Sequence, residues 1–347
     1  ACKQAGIRTI MITGDHKDTA VAIARELGLL NGTATAVSGA ELDGLTDAAL
    51  SERVEQIAVY ARVSAEHKLR IVKAWKARGA IVAMTGDGVN DAPAVKAADI
   101  GVAMGLTGTD VTKEASDMVV TDDNFASIAA AVEAGRGIYD NIRKAVHYLL
   151  SCNLSEVLVM LFATLLGLPL PLLPVQILWI NLVTDGLPAL ALAVDPSDPD
   201  IMRRPPRRPD ARILSRNRIM VMFGQGLFIA LITMLSFAYC LYRMDNDLAR
   251  ARTVTFTVLV MAQLFHAFNC RSDRHSLLKI GLWTNKPLLW AAAGSMALQA
   301  VIILSPWASE VFKVATFDPE HWLLVLGLGA LPLIAMETWK ALRVAAS

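Results

Sequence analysis

The first 125 residues alternate short apolar runs with amphipathic stretches. Strands are predicted for RTIMI (8–12), AIVAM (80–84), DIGVAM (99–104) and DMVVT (117–121), and helices for HKDTAVAIARELGLL (16–30) and HKLRIVKAWKARG (67–79). Alternating strands and helices are typical of an α/β fold with a parallel sheet. Because RTIMI and AIVAM are apolar at consecutive positions, we expect both strands to be buried on both faces.

From about residue 145 the pattern changes to long apolar stretches. Six of them approach the roughly 20 residues that cross about 30 Å of hydrocarbon. They cover residues 148–168, 172–193, 219–241, 253–270, 287–306 and 322–339. The sequence therefore predicts an all-α domain of six transmembrane helices whose partner is the lipid bilayer.

Composition and charge agree with a membrane protein. The hydrophobic content of 54% over 347 residues is above that of an ordinary soluble domain, and the net charge of +1 gives no indication of a nucleic-acid partner. Residues 201–218 carry seven arginines against one aspartate, which by the positive-inside rule places this segment in the cytoplasm. The domain that precedes the first span is then expected to be cytoplasmic as well.

The four cysteines, Cys2, Cys152, Cys240 and Cys270, are far apart and form no Cys-x-x-Cys pair. Their spacing predicts neither a zinc site nor a disulfide framework, so we expect isolated buried thiols. The chain has neither an initiator Met nor a charged-then-apolar leader. The expectation is that it carries no signal peptide and starts inside a longer protein.

Two of the predicted strands end in the same residues, Thr-Gly-Asp, so Asp15 and Asp87 fall beyond their carboxyl ends. Ligands of open α/β sheets collect at that edge, and carboxylates clustered there attract Mg²⁺ together with a substrate phosphate. Lys68 follows the strand-like run AVYARV and could add a positive charge for phosphate. Taken singly, a Thr-Gly-Asp turn is equally explained by a helix cap, and Lys68 by a solvated surface residue.

The whole string TGDGVNDAP (85–93) favours the phosphate and Mg²⁺ site over these simpler explanations. It resembles the hinge motif of the P-type cation ATPases, whose phosphorylation domain belongs to the haloacid dehalogenase superfamily. MITGDHKDTA and ARVSAEHKLRIV precede it in the family's order and spacing. The resemblance implies a partial α/β, Rossmann-type phosphorylation domain over residues 1–140, followed by a transmembrane cation-transport domain over residues 141–347.

The resemblance also implies roles for the residues of these motifs. Thr13 and Gly14 would contact the transferred phosphoryl group, with Asp15 beside them in the catalytic set. Lys68 would neutralise the developing charge, as phosphoryl transfer requires. Asp87, with Asp91, would hold Mg²⁺, and Asn90 and Asp91 would complete the site.

The nucleophile of this family is an aspartate in an Asp-Lys-Thr-Gly-Thr motif, and that string does not occur in the 347 residues. The resemblance therefore implies a missing N-terminal part of the pump that would supply the nucleophile and most of the ATP site. By itself, the chain is not expected to form the phosphoenzyme.

Polar residues interrupt the first two predicted spans. Asn153 and Glu156 lie three residues apart in one span, and Asn181, Thr184 and Asp185 lie together in the next. Ionisable groups inside a span indicate a functional site. Gly186 and Pro188 are expected to open the helix and to free carbonyl oxygens beside Asp185. Such an oxygen-only set of ligands is what Ca²⁺ prefers.

The resemblance is closest to the type II calcium pumps, whose equivalent spans carry Asn-x-x-Glu and Asn-x-x-Thr-Asp-Gly-x-Pro. One residue departs from the two-site pumps, since Gln263 stands where they have a glutamate. This departure favours one transported Ca²⁺ per cycle, with Gln263 among the ligands.

The leading hypothesis is the C-terminal part of an ATP-driven Ca²⁺-exporting pump in a multi-pass, prokaryotic plasma-membrane location. A helix from about Gly135 through Glu156 would couple its phosphate and ion sites. An Mn²⁺ pump and a non-catalytic membrane module that binds cations remain alternatives. The six spans exclude a soluble phosphatase, and the lack of an intramembrane Cys pair disfavours a heavy-metal pump.

Overall fold

The computed structural model describes residues 1–30, 34–243, 247–273, 275–316 and 319–345. The chain divides into two compact units. The first comprises Ala1–Ala134 with Asp200–Asp210, and the second comprises Gly135–Pro199 with Ala211–Ser347. The functional boundary that we place after residue 140 stays a prediction.

In its described residues, the first unit contains six parallel strands in two three-stranded sheets, where the sequence pattern indicated one sheet. The strands are β1 (Met11–Thr13), β2 (Thr35–Ser38), β3 (Ile57–Ala61), β4 (Ala83–Gly86), β5 (Ile100–Met104) and β6 (Met118–Val120). Their orders are β1-β3-β2 and β4-β5-β6. Ile12 of β1 packs in the same apolar cluster as Met84 of β4, so these two strands lie near each other.

Burial differs from the prediction for the two Thr-Gly-Asp strands. The fully buried strand is β3, and β5 is buried except for its first residue, because these are the central strands of their sheets. In contrast, β1 is half-buried, and Ile81, inside the predicted strand 80–84, is exposed. Strand β4 begins at Ala83, three residues beyond the predicted start at residue 80.

Short helices connect these strands. They are α1 (Lys17–Glu26), α2 (Gly39–Asp43), α3 (Asp47–Arg53), α4 (Ala65–Ala77), α5 (Ala92–Ala97) and α6 (Asp110–Ala115). Helix α4 starts with a reciprocal cap in which Ser64 Oγ accepts from the His67 amide (3.3 Å) and His67 Nδ1 accepts from the Ser64 amide (3.2 Å). This cap fixes the first turn of α4 and therefore the position of Lys68.

The second unit is helical. Its helices are α8 (Pro174–Trp179), α9 (Gly186–Ala193), α10 (Arg216–Arg243), α11 (Leu248–Asn269), α12 (Leu277–Ile280), α13 (Lys286–Leu304), α14 (Pro306–Phe312) and α15 (Pro319–Ala345), and α7 (Phe125–Leu165) runs into it from the first unit. Among the residues that the structure describes, six segments are long and apolar enough to cross a membrane: α7, the α8–α9 segment, α10, α11, α13 and α15. The predicted six spans are thus confirmed, and the chain is a multi-pass integral membrane protein.

The second predicted span contains a π-helical segment at Ile180–Thr184, between α8 and α9. The Asp185 amide donates to the Ile180 carbonyl at 2.9 Å, five residues back. We expected the helix to open at Gly186 and Pro188, but α9 runs through both of them. Instead, the helix widens in the π-helical turn before Gly186. Asp185 therefore lies where this π-helical turn meets α9.

Helix α11 lies at the centre of the second unit, and most of its side chains are buried. Small residues on neighbouring helices allow close contact. A Cβ at Gly226 of α10 would lie 2.9 Å from the Ser151 carbonyl, and a Cβ at Gly329 of α15 would lie 2.6 Å from Met261 Cβ. Membrane helices approach closely through such small residues.

Asp195, just after α9, is the centre of a buried ion network. Its carboxylate accepts from Lys144 Nζ of α7 (2.8 Å), from Arg271 Nε after α11 (3.0 Å) and from Asn285 Nδ2 before α13 (2.8 Å). The Arg271 and Asp195 side chains are each only 2% exposed. The network therefore ties together the ends of four membrane segments.

Candidate functional site

The loop after β1 presents polar groups at an open edge. Thr13 Oγ1 donates to Asp15 Oδ2 at 2.9 Å and accepts from the Asp15 amide at 3.1 Å. A Cβ added to Gly14 would meet no atom within 4 Å, so the space beside its backbone is free. The loop is thus ordered by its own side chains while its glycine leaves room for a ligand to approach the backbone.

The turn after β4 is built around Asp91. A Cβ at Gly86 would lie 2.4 Å from Asp91 Cβ, so a side chain there would displace this carboxylate. Asp91 Oδ2 accepts from the amides of Asp87 and Gly88, both at 3.3 Å. The buried Asp91 side chain therefore holds the backbone of the turn that carries Asp87.

Two threonines hold the same turn from its other side. The Thr109 amide donates to the Asp87 carbonyl and Thr112 Oγ1 donates to the Gly88 carbonyl, each at 2.8 Å. Thr112 is completely buried. Neither threonine was predicted from the sequence, because neither belongs to the motif strings and no local pattern brings α6 to this turn.

Lys68 forms an ion pair with Asp91. Burial by itself would raise the pKa of Asp91, but the hydrogen bond and charge of Lys68, together with the Gly88 and Asp87 amides, outweigh it and lower that pKa. The pair joins α4 to the turn after β4. Lys68 is therefore paired with Asp91 and mostly buried, and is not a free solvated surface residue. Its role toward phosphate stays a prediction.

Asp15, Asp87 and Asn90 are exposed and follow the strand ends that carry Thr13 and Gly86. Free carboxylate oxygens suit Mg²⁺, which coordinates few protein ligands and keeps waters or phosphate oxygens. The exposed carboxylate of Asp87 fits its predicted role as a Mg²⁺ ligand, and Asp15 is likewise exposed after the end of β1. Asp91 is committed to Lys68 and to two backbone amides, so it supports the turn that carries Asp87.

The second site lies within the helical unit, where polar residues of three segments meet. Glu156 of α7 accepts from Asn181 Nδ2 at 2.7 Å and from Gln263 Nε2 of α11 at 3.0 Å. Glu156 is only 4% exposed. We call Glu156, Asn181, Asp185 and Gln263 the oxygen cluster. Glu156, Asn181 and Gln263, which were predicted from separate spans, are thus joined by direct hydrogen bonds.

Asp185 is completely buried, and its Oδ1 accepts from the Tyr148 hydroxyl at 3.0 Å. Its other oxygen, Oδ2, has no hydrogen-bond partner among the described residues, and the same holds for Gln263 Oε1. Buried polar atoms are seldom left without a partner. Two such oxygens beside a buried glutamate fit the coordination of a cation by oxygen ligands.

The other two predicted ligands lie differently. Thr184 is buried, and its hydroxyl donates to the Ile180 carbonyl at 3.1 Å, next to the π-helical segment. Asn153 is exposed, and its Nδ2 donates to the Leu149 carbonyl of its own helix at 2.8 Å. In this chain, then, the Asn153 side chain does not join the oxygen cluster.

Tyr148 is the residue of this site that sequence reasoning missed. It lies on α7 two turns before Glu156, and it is completely buried. The available signal was a polar hydroxyl at the start of a span that already carried Glu156. Its partner, Asp185, lies on another segment, so the hydrogen bond itself could not be read from the pattern.

Comparison with known proteins gives two family matches. Residues 169–342 match the family described as cation transporting ATPase, C-terminus. Residues 1–99 match the haloacid dehalogenase-like hydrolases. The two matches correspond to the helical part and to the strand-containing part of the chain.

Individual relatives align with almost the whole chain. A calcium-transporting ATPase of Bacillus subtilis (strain 168) is 50% identical over 95% of the chain, which corresponds to 37% of that relative. Calcium-transporting ATPase 1 of Bacillus cereus is 48% identical over 98% of the chain and 40% of the relative. The human calcium-transporting ATPase type 2C member 1 is 43% identical over 96% of the chain and 36% of the relative. The chain thus spans well under half the length of these relatives.

Proposed function

Because the chain belongs to the cation-transporting ATPase family, we propose that it carries the phosphate-handling edge and the ion site of an ATP-driven Ca²⁺ pump. In this proposal the pump works through a phosphoenzyme cycle and exports Ca²⁺ across a plasma membrane. The aspartate that becomes phosphorylated and most of the ATP site belong to a part of the pump outside these 347 residues.

The oxygen cluster is the observation that carries the proposal. Glu156 and Asp185 are buried carboxylates on two membrane segments, and Asp185 Oδ2 and Gln263 Oε1 lack hydrogen-bond donors among the described residues. Ca²⁺ takes six to eight oxygen ligands, including carboxylates and amide carbonyls. The cluster would supply part of that set, and the names of the relatives also support Ca²⁺ as the transported ion.

The cytoplasmic edge supports phosphoryl transfer. We propose that Thr13 and Gly14 bind the phosphoryl oxygens and that Lys68 stabilises their charge while paired with Asp91. Asp87 would hold Mg²⁺, which supplies further charge neutralisation when it is bound. Asp15 and Asn90 are also exposed, and we propose that they complete this phosphate and Mg²⁺ site.

Transport requires two states that differ in ion affinity, each favoured by a different state of phosphorylation. Glu156 lies on α7, a single helix of 41 residues. We propose that movements of α7 relative to α11 change the distance between Glu156 and Gln263, which now share a hydrogen bond. Such a change would alter the affinity of the oxygen cluster.

The test is ATP-driven ⁴⁵Ca²⁺ uptake and Ca²⁺ binding by the full-length protein that contains this chain, reconstituted in vesicles. Asp185→Asn is expected to abolish both, because it removes a buried charge from the cluster. The control Glu310→Gln removes an exposed carboxylate of α14 and should leave both unchanged. Because the Asn153 side chain is exposed, Asn153→Ala should reduce binding less than Asp185→Asn does.

Retention of stoichiometric Ca²⁺ binding by Asp185→Asn would overturn the assignment of the ion site. Uptake of ⁵⁴Mn²⁺ without ⁴⁵Ca²⁺ would instead retain the pump and change its ion. If the full-length protein forms no cation-stimulated phosphoenzyme, the pump proposal fails as a whole.

A further inference from the structure

A second group of ligand-type side chains lies in the helical unit, apart from the oxygen cluster. It comprises His147 of α7 with His266 and Cys270 of α11 and its C-terminal end. All three are buried, and one ligand atom from each lies within 4.8 Å of the others. We call this group the His–His–Cys cluster. The spacing of the cysteines did not predict it, because His147 comes from a helix more than 100 residues away along the chain.

Neighbouring side chains orient the His147 ring. The Gln225 amide nitrogen donates to Met336 Sδ at 3.4 Å, so Gln225 Oε1 is free to accept from His147 Nε2–H at 2.6 Å. With the Gln225 amide in this orientation, Nε2 of His147 is the donor, which leaves a lone pair on Nδ1. This arrangement, with one ring nitrogen donating to an oxygen, is how metal-binding histidines are held.

The second imidazole directs its Nε2 atom toward a hydroxyl and the thiol. His266 Nε2 lies 2.9 Å from Ser151 Oγ and 3.4 Å from Cys270 Sγ. The Nδ1 atoms of His147 and His266 are both buried without a hydrogen-bond partner among the described residues. The unpartnered Nδ1 of His147, buried near the thiol and the Nε2 atom of His266, is an independent sign that a ligand belongs here.

We propose that the His–His–Cys cluster binds a borderline or soft divalent metal ion of the Zn²⁺ class, with one ring nitrogen of each histidine and Cys270 Sγ as ligands. Tetrahedral Zn²⁺, with nitrogen at about 2.0–2.1 Å and sulfur at about 2.3 Å, separates its ligand atoms by about 3.3–3.6 Å. The distance from His266 Nε2 to Cys270 Sγ is already 3.4 Å. His147 has its ligand atom within 4.8 Å of the other two, so metal binding would draw it closer.

The ligand types separate this site from the oxygen cluster. Imidazole and thiolate select Zn²⁺-class ions, whereas Ca²⁺ and Mg²⁺ require oxygen. Cys270 loses its thiol proton to solvent as the metal binds, so one proton is released per ion. Three protein ligands leave a fourth position, which the Ser151 hydroxyl or a water can fill.

A cavity of about 390 Å³ adjoins the cluster. Its lining is mostly apolar, with Phe228, Met336 and Trp339 among its residues, and Gln225 and His266 also line it. The cavity therefore reaches the ligand His266 and the residue that orients His147.

Occupancy would affect the ion site by joining α7 to α11. Tyr148, which follows His147, lies with its ring 6.2 Å from His266 and donates to Asp185. Glu156 and Gln263 lie on the same two helices. A metal at the cluster is thus expected to inhibit transport by fixing α7 against α11. This consequence rests on the proposed function, whereas binding of the metal does not.

The test is titration of the chelator-stripped, full-length protein with Co²⁺, followed by absorption spectroscopy. We expect the visible spectrum of tetrahedral Co²⁺ with a near-ultraviolet thiolate-to-Co²⁺ charge-transfer band, and Zn²⁺ should displace both. Cys270→Ser should lose the charge-transfer band, while Cys240→Ser, which alters another buried cysteine, should keep it. Gln225→Leu should weaken metal affinity about 10–100-fold, because it removes the group that orients His147.

The unmodified protein alone can overturn the proposal, so folding of the variants does not limit the test. Absence of the charge-transfer band in that protein excludes the site, as does the same band in a folded Cys270→Ser variant. Loss of Ca²⁺ transport in Asp185→Asn with a normal Co²⁺ spectrum would support both sites independently. A Co²⁺ spectrum in a protein that forms no cation-stimulated phosphoenzyme would retain the metal site and reject the pump.

Discussion

At the scale of single residues, the Lys68–Asp91 pair links two motifs that are separated along the chain. Asp91 is 5% exposed, so its carboxylate depends on Lys68 and on backbone amides for compensation. Because the pKa of Asp91 is lowered in the folded protein, its ionised form stabilises the fold above the unfolded pKa of about 3.9. That contribution is lost as the pH falls through the folded pKa.

We expect Lys68→Met to destabilise the turn after β4 by about 1.5–3 kcal/mol, the usual contribution of a hydrogen bond to a charged group. Hydrogen–deuterium exchange of the peptide that covers residues 83–95 measures this change. Lys73→Met, an exposed position of the same helix, is the control and should leave the exchange unchanged.

The same experiment tests the direction of the pH effect. In the unmodified protein, protection of this peptide should be constant at neutral pH and should fall in acid, whereas Asp91→Asn should lose most of that pH dependence. Equal exchange in Lys68→Met and Lys73→Met would show that the pair does not hold the turn.

The sequence motifs supplied candidate residues for both sites, because phosphate and cation chemistry require particular side chains at short spacing. They could not predict the partners that orient these side chains. Thr112 reaches Gly88 from another helix, and Tyr148 reaches Asp185 from another span. Such contacts depend on tertiary packing, which has no signature in a window of ten or twenty residues.

At the scale of secondary-structure elements, length and composition located the membrane spans well, and the strand limits less well. A span needs about 20 apolar residues, so one or two atypical residues do not hide it. In a strand of four residues, by contrast, a few flanking apolar residues are enough to shift the predicted limits. Apolar residues 80–82 therefore extended the predicted strand toward its N-terminal side, although β4 starts only at Ala83.

The Asp195 network is the element-scale feature with the largest expected energetic effect. Asp195→Asn leaves Lys144 and Arg271 buried without their carboxylate, and removal of one partner from a buried ion pair costs about 3–5 kcal/mol. We expect a clear drop in the thermal unfolding midpoint of the detergent-solubilised protein. Asp210→Asn, whose partner Arg208 is exposed, should change that midpoint little. An unchanged midpoint in Asp195→Asn would contradict the structural role of the network.

At the scale of the whole molecule, the sequence distinguished a strand-containing part from a membrane part, because their hydrophobic periods differ. It did not reveal that the strands form two sheets. Which strand lies beside which is decided by contacts between segments far apart in the chain, such as the pairing of β1 with β3. The π-helical segment at Ile180–Thr184 was likewise hidden, since only Pro188 and Gly186 signalled a disturbance of that helix.

The burial of α11 has a consequence for how the protein enters its membrane. This helix carries buried polar side chains at Thr253, Thr255, Thr257, Gln263, His266 and Asn269. Such groups make partition of an isolated helix into lipid unfavourable. Helix α15, which packs closely on α11 through Gly329, is synthesised later. Stable integration of α11 should therefore wait for α15, and alkaline extraction should release more of α11 from nascent chains that end before α15 than from complete ones.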